Sequence, residues 1–306
     1  MKRLRPRIVT IGGGSGQSLL LQHLKRYPLD ITAIVSMVDN GGSTGLLRDH
    51  LGVMPPGDLR RCIAALAKDQ DIWTDVLNHR FGDGHTIGNL ILAGLELKHG
   101  SAEQAAQQLS TWLQVQGKVL PVTNAPTTLY AKLFDGKIVK GETNIDIPQS
   151  KRRSPIRSIY LKPAVSALPS VLRAIRQADF IVFTIGDLYT SVLPNVLVRG
   201  VAEALRHTTA RLVYACNRTI KVGETDAYTT SDYLNTLTHY IGRQIDDVVV
   251  DRTILTDRTT PHLVHYNVTG LEQAGVTVHQ ANLRATDARK IDGKKLAAAI
   301  AHVCRA

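Results

Sequence analysis

A chain of 306 residues, 43% of them hydrophobic, is long enough to bury a full core. No apolar run reaches the roughly 18 to 20 residues that a membrane-spanning helix needs, and the three cysteines (Cys62, Cys216, Cys304) lack CxxC spacing, which predicts reduced thiols and no zinc site. The net charge of +11 is dispersed, with its densest run at Lys151-Arg152-Arg153, and only 5% of residues are aromatic; this argues against a nucleic-acid partner and for a phosphorylated small molecule.

The basic N-terminus (Lys2, Arg3, Arg5, Arg7) precedes only Ile8-Val9-Thr10-Ile11. That stretch is too short for a secretion signal, so the expected location is the cytoplasm.

Arg7 to Ile11 reads as a short buried strand, and a helix from about Ser15 to Tyr27 follows it. Ile31 to Val38 is a continuous apolar run, as in a parallel strand covered on both faces. The opening is therefore βαβ, the start of a doubly wound sheet. Residues 39–56, with four glycines and two prolines, read as a loop. Helices over about Asp58–Lys68, Ile72–His79, Ile87–Lys98 and Ala102–Val115 form a helical insertion. Residues 129–134 and 137–141 flank Asp135-Gly136 as a β-hairpin. Residues 149–157 read as a surface loop and Ile159–Lys162 as a short strand.

The second half repeats the pattern. It gives helix Leu168–Gln177, strand Phe180–Ile185, turn Asp187–Ser191, helix Asn195–Arg206 and strand Arg211–Cys216. Helix Ser231–Ile241, strand Val248–Val250, a strand near Val276–His279 and helix Lys294–Val303 close the chain. The expected fold class is α/β. It is a Rossmann-like, mostly parallel doubly wound sheet with a helical insertion and a β-hairpin, in one domain over residues 1–306.

Two glycine-rich turns carry the chemistry. Gly12, Gly13, Gly14, Ser15 and Gly16 follow the first strand, where backbone N–H groups and a helix N-terminus suit an anion. No Gly-Lys-Ser/Thr follows, so this is not a P-loop. The last glycine of a GxGxxG fingerprint falls at Gln17, which weakens an NAD(P)-dependent reductase reading. The second turn is Asp39-Asn40-Gly41-Gly42-Ser43-Thr44-Gly45. Asp39 stands where a dinucleotide fold binds ribose, yet the glycines after it suggest a second anion nest, with Arg48 as a phosphate contact.

In Pro55-Pro56-Gly57-Asp58-Leu59-Arg60, Asp58 can cap a helix, and it can share a hydrated Mg²⁺ with Asp39 and ligand phosphates. Arg60 is a further phosphate candidate. Polar clusters recur at strand ends: Gly84 to Asn89, Thr123-Asn124, Gly141 to Asn144, Gly186 to Ser191, Asn217, and Gly223 to Asp226. Open α/β sheets bind ligands at those ends, although each cluster alone also reads as ordinary turn chemistry. No GxSxG pattern supports a hydrolase triad.

The strings IGGGSG, SMVDNGGSTGLLRD, PPGDLRRCIAAL, GHTIGNLILAGL, LPVTNAP, GETNID, DLYTSVLPNVLV and YACN…GETD occur in that order. They resemble the CofD/YvcK family, and more closely its YvcK-type branch of gluconeogenesis factors, over about residues 7 to 240. The resemblance implies a Rossmann-like cytoplasmic protein that binds a UDP-sugar such as UDP-N-acetylglucosamine and supports cell shape and gluconeogenic growth. Its CofD-type branch implies instead a Mg²⁺-dependent transferase that moves a phospholactyl-type group from a nucleotidyl donor to a deazaflavin.

The positions implied for the nucleotide are Gly12 to Gly16, Asp39 to Ser43, Arg48, Arg60, Asn89, Thr123, Asn124, Gly186, Tyr189, Ser191 and Asn217. Asp39, Asp58 and Asp187 are the candidate metal ligands, the last from a departure from the family pattern. A homodimer is compatible with this reading. Two departures stand out: Leu46 replaces a common arginine, and Thr184-Ile185-Gly186-Asp187 replaces Gly-Pro-Gly-Ser. A carboxylate thus stands at an expected phosphate turn, and either Asp187 helps hold a metal or the ligand differs from the usual one.

Overall fold

Continuous apolar runs become parallel strands, and glycines and prolines end them. The computed structural model describes residues 5–82, 84–148, 153–257 and 259–305. Lys2 and Arg3, Lys151 and Arg152, and residues 149–152 of the expected surface loop lie outside the described residues. The strands are β1 (Arg7–Gly12), β2 (Asp30–Val35), β3 (Lys118–Pro121), β4 (Thr128–Leu133), β5 (Ile138–Lys140), β6 (Ile156–Lys162), β7 (Phe180–Phe183), β8 (Arg211–Ala215), β9 (Asp247–Asp251) and β10 (Thr277–Ala281).

Seven strands form one sheet in the order β10-β9-β8-β7-β1-β2-β3. Every neighbouring pair in it is parallel. β1 is central: Ile8 stands opposite Ile31 of β2 on one side and Phe180 of β7 on the other. From Ile8 onward β1 is buried, as are all five residues of β9. Helices cover the sheet; helix Gly14–Leu24 packs against helices Pro56–Leu66 and Gly293–Val303. The fold is therefore the Rossmann-like α/β arrangement expected.

The hairpin β4–β5 turns at Gly136 (φ 88°) and pairs on its other edge with β6, so a three-stranded antiparallel sheet stands beside the main one.

Several elements differ from expectation. Residues 39–56 contain the helix Gly42–Leu51. It starts from extended Gly41 and stops at Gly52 (φ 69°), whose N–H donates to the Arg48 carbonyl. Its Leu47 packs with Val53 and Ala93 in a small apolar cluster of its own. The helix expected over 195–206 is two pieces, Leu193–Val196 and Val201–His207. Gly200 (φ 93°) breaks it, and Arg199 bonds back to Val165 and bridges Ser166. The turn at 187–191 becomes a π-helical turn, Leu188–Val192, of the kind often found at functional sites. β3 and helix Val268–Gln273 were not foreseen from the sequence.

Candidate functional site

The sheet order reverses between β1 and β7: the chain leaves β1 toward β2 on one side, and β7 to β10 build outward on the other. In open α/β sheets the crevice beyond the carboxyl ends at such a reversal is where ligands bind. A cleft of about 470 Å³ opens there. Gly13 to Gly16, Gly41 to Thr44, and Gly186 with Asp187, Thr190 and Ser191 all line it. Topology thus brings both glycine turns and the turn after β7 to one place.

The first turn is held rigidly. Asn195 Nδ2 donates to the carbonyls of Gly12 (3.0 Å) and Ser191 (2.9 Å), tying the turn after β1 to the turn after β7. Gln17 is fully buried and donates from Nε2 to Thr10 Oγ1 (3.0 Å) and the Ile34 carbonyl (3.1 Å). A side chain that fastens β1 to β2 therefore occupies the position of the missing third glycine. Gly14 has φ 65°, a conformation that favours glycine. A β-carbon at Gly16 would run into the Ile185 carbonyl, so this glycine allows close packing of helix on turn.

The second turn divides its residues between cleft and scaffold. Asp39 Oδ1 accepts from the Gly41 N–H at 2.9 Å. Asn40 is exposed, and its Oδ1 accepts from the Thr143 N–H at 3.0 Å. Arg48 donates from Nη1 to the Asp39 carbonyl (2.8 Å) and from Nη2 to the Thr127 carbonyl (3.0 Å). It clamps the loop to the start of β4 and is not among the cleft-lining residues.

Ser43, Asn89 and Arg60 form a chain of donors on the cleft wall. Arg60 Nη1 donates to Asn89 Oδ1 (2.9 Å) and to Thr86 Oγ1; Asn89 Nδ2 donates to Ser43 Oγ (2.9 Å). Ser43 Oγ also meets His85 Nδ1 at 3.0 Å. Arginine only donates, which fixes the Asn89 amide with its oxygen toward Arg60. Among the described residues the buried Arg60 Nε has no hydrogen-bond partner. Burial, with Arg61 and Arg80 nearby, lowers its pKa to about 10, still far above neutrality.

The lining is more acidic than the chain's net charge suggests. Arg60, Arg61 and Arg80 face five carboxylates: Asp39, Asp58, Glu142, Asp146 and Asp187. Burial and the nearby Asp39 push Asp58 up to about 6, against the pull of Arg61, whose Nη1 donates to Asp58 Oδ1 at 2.8 Å. Burial, then Asp39 and Asp146, pushes Glu142 to about 8. Burial also raises Asp187, although Lys221 opposes it. Glu142 and Asp146 were not singled out from sequence; the polar strand-end cluster at Gly141 to Asn144 was the signal.

Other expected residues act from outside the lining. Asn217 makes a reciprocal pair with Gly186, Nδ2 to carbonyl at 2.7 Å and N–H to Oδ1 at 3.0 Å, and so shapes that turn. Tyr189 is buried, with its hydroxyl 2.7 Å from that of Tyr228. Thr123 is buried, and Asn124 Oδ1 accepts from the Glu103 N–H (3.1 Å) at the start of helix Ala102–Trp112. The three expected metal ligands also separate. Among the described residues the carboxylate group compact enough for one ion joins Asp187 to Asp146 and Glu224, not to Asp39 and Asp58.

Fold and cleft define the class: a Rossmann-like α/β protein with a polar cleft where the strand order reverses. Residues 8–284 match the family model described as 2-phospho-L-lactate transferase CofD, and the chain belongs to the CofD family. It is 42% identical to the gluconeogenesis factor of Halalkalibacterium halodurans over 257 residues, covering 82% of this chain and 79% of that protein. It is 41% identical to the gluconeogenesis factor of Bacillus subtilis over 260 residues, 83% of this chain and 81% of that one. A putative gluconeogenesis factor of Clostridium acetobutylicum is 39% identical over 294 residues, 90% of this chain; the match spans only 64% of that relative's length. The crystal structure of a UPF0052 family member from Bacillus halodurans superposes with a TM-score of 0.89 at 36% identity, covering 98% of this chain and 99% of that one. Among the described residues no helix is long and apolar enough to cross a membrane.

Proposed function

We propose that this protein binds a nucleotide sugar of the UDP-N-acetylglucosamine class and acts in the cytoplasm as a gluconeogenesis and cell-shape factor. One observation carries the binding reading: two glycine turns, distant in sequence, line a single cleft of about 470 Å³ at the strand-order reversal. The names of the relatives at 41–42% identity support the physiological part.

Arg60 and its partners Asn89 and Ser43 offer the phosphates donors on one wall, and the Gly13 to Gly16 turn offers backbone on the other. Asp39 and Asp58 would hold a hydrated Mg²⁺, which needs only one or two carboxylates and would supply positive charge at the ligand's diphosphate. When bound, the ion offsets the charge that these acids present to the ligand. Calorimetry with UDP-N-acetylglucosamine, UDP and GDP tests the reading, and absence of binding to every uridine nucleotide would sink it.

A Mg²⁺-dependent transferase is the second reading. Glu142 near 8 favours it, since a buried carboxyl that titrates around neutrality is suited to proton transfer. Release of nucleoside monophosphate from a nucleotidyl donor with Mg²⁺ is its test, and no release with any divalent metal counts against it.

A further inference from the structure

Three carboxylates converge at one end of the cleft, Asp146 and Asp187 in its lining and Glu224 buried behind them. Asp146, Asp187 and Glu224 each bring an oxygen to within 4.8 Å of the others. Acids this close do not all stay charged unless a cation or protons lie among them. A divalent ion is one solution, and this chain carries another. Lys221 Nζ lies 2.6 Å from Asp146 Oδ1 and 3.4 Å from Asp187 Oδ2.

The lysine is anchored at its backbone. Its N–H donates to Thr225 Oγ1 at 2.9 Å, and its carbonyl accepts from the N–H groups of Glu224 (3.0 Å) and Thr225 (2.9 Å). Glu224 is engaged on its other side, accepting from Thr190 Oγ1 at 2.8 Å and from the Tyr189 N–H at 3.2 Å. Glu224 therefore braces the π-helical turn, while Asp146 and Asp187 share the ammonium.

We propose that Lys221 is the resident cation of this end of the cleft: its ammonium, not a divalent ion, neutralises Asp146 and Asp187 and meets the ligand's anionic group at the Gly186 to Ser191 turn. The ligand contact rests on the nucleotide reading above; the exclusion of a divalent ion does not. An ammonium has three N–H donors. One donates to Asp187 Oδ2, the pairing with Asp146 is one of charge, and another donor serves a phosphate oxygen. Asp187 is then the counter-ion that aims the lysine, and a divalent ion would compete for the oxygens the ammonium already holds.

Mn²⁺ binding to the full chain, counted by electron paramagnetic resonance, tests the exclusion. Asp187→Asn should leave the number of bound Mn²⁺ ions unchanged. Lys221→Met should bind one more than the unaltered chain, and adding Asp187→Asn to Lys221→Met should remove that extra ion. Loss of a Mn²⁺ from Asp187→Asn alone, or no gain in a Lys221→Met protein that still unfolds cooperatively, overturns the proposal. If Lys221→Met does not fold, the count for Asp187→Asn decides by itself.

Calorimetry with UDP in EDTA tests the ligand contact, with a loss of at least about ten-fold in affinity expected for Lys221→Met from a charge-assisted bond. Unchanged affinity overturns the contact. Failure of the unaltered chain to bind UDP in any buffer counts against the nucleotide reading and leaves the Mn²⁺ count to judge Lys221.

Discussion

The carboxylate of Asp58 lies directly on the Gly13 backbone: a β-carbon placed on Gly13 would stand 2.8 Å from Asp58 Oδ2, and one placed on Gly14 would stand 3.8 Å from Asp58 Oδ1. The turn that resembles an anion nest thus already serves one anion. A ligand phosphate that shares it must arrive with a cation or with a proton on Asp58, whose pKa near 6 makes both routes accessible.

Asp58→Asn follows from that contact. Mg²⁺ should raise the affinity of the unaltered chain for UDP by about ten-fold or more, the scale of one charge-assisted interaction. In Asp58→Asn the Mg²⁺ effect should largely vanish, and binding without Mg²⁺ should strengthen. Calorimetry with and without EDTA reads both; an undiminished Mg²⁺ effect in the variant would remove Asp58 from the cation's ligands.

Arg48 illustrates a change of role. Its guanidinium braces the carbonyls of Asp39 and Thr127. Arg48→Ala should cost at least about 2 kcal/mol of folding stability, since each lost bond to a charged donor is worth about 1.5–3 kcal/mol. Urea denaturation measures it. An unchanged midpoint with weakened UDP binding would return Arg48 to the ligand.

Gly16→Ala should destabilise by roughly 1–3 kcal/mol, the usual cost of forcing atoms into a packed contact, because the new methyl meets the Ile185 carbonyl. Gly42→Ala meets no atom within 4 Å but inherits φ 44°, so its cost is backbone strain of about 1 kcal/mol. Thermal unfolding of the two variants should rank Gly16→Ala as the more damaging, and the reverse order would contradict this packing role.

Stability should also fall as pH rises. Glu224 and Glu142 both have folded pKa values pushed up to about 8, chiefly by burial. An unfolded glutamate titrates near 4.3. Between those values the folded chain keeps protons that the unfolded chain has lost, so this stabilisation is complete below about pH 4 and gone above about pH 8. Glu224 alone should account for a loss on the order of 2 kcal/mol between pH 6 and pH 9. Urea titrations at the two pH values check it: Glu224→Gln should flatten the dependence, and an equal slope in the variant would deny Glu224 a raised pKa.

The sheet was legible because β1 and β2 are continuous apolar runs that can only be covered on both faces. Helix Gly42–Leu51 was not, because the glycines and serine at its start carry the same composition as a loop and its apolar face buries little beyond Leu47. Both glycine turns were legible as polar interruptions at strand ends. The chemistry around them was not, because Glu142, Asp146 and Lys221 come from segments about eighty residues apart that only the topology joins. Arg48 and Asn124 show the limit from the other side. A guanidinium or an amide bonds a backbone group as readily as a ligand, and the residue type does not say which. Gln17 was noticed only as an absent glycine, whereas its amide links β1 to β2.

The most direct test of the central claim is isothermal calorimetry of the unaltered chain with UDP-N-acetylglucosamine in Mg²⁺, beside the same titration of Arg60→Ala. The account predicts one saturable site per chain, with at least about ten-fold weaker binding in the variant, as expected for loss of a charge-assisted donor at the phosphates. No heat of binding from any uridine nucleotide, or binding that Arg60→Ala leaves untouched in a folded protein, would contradict it.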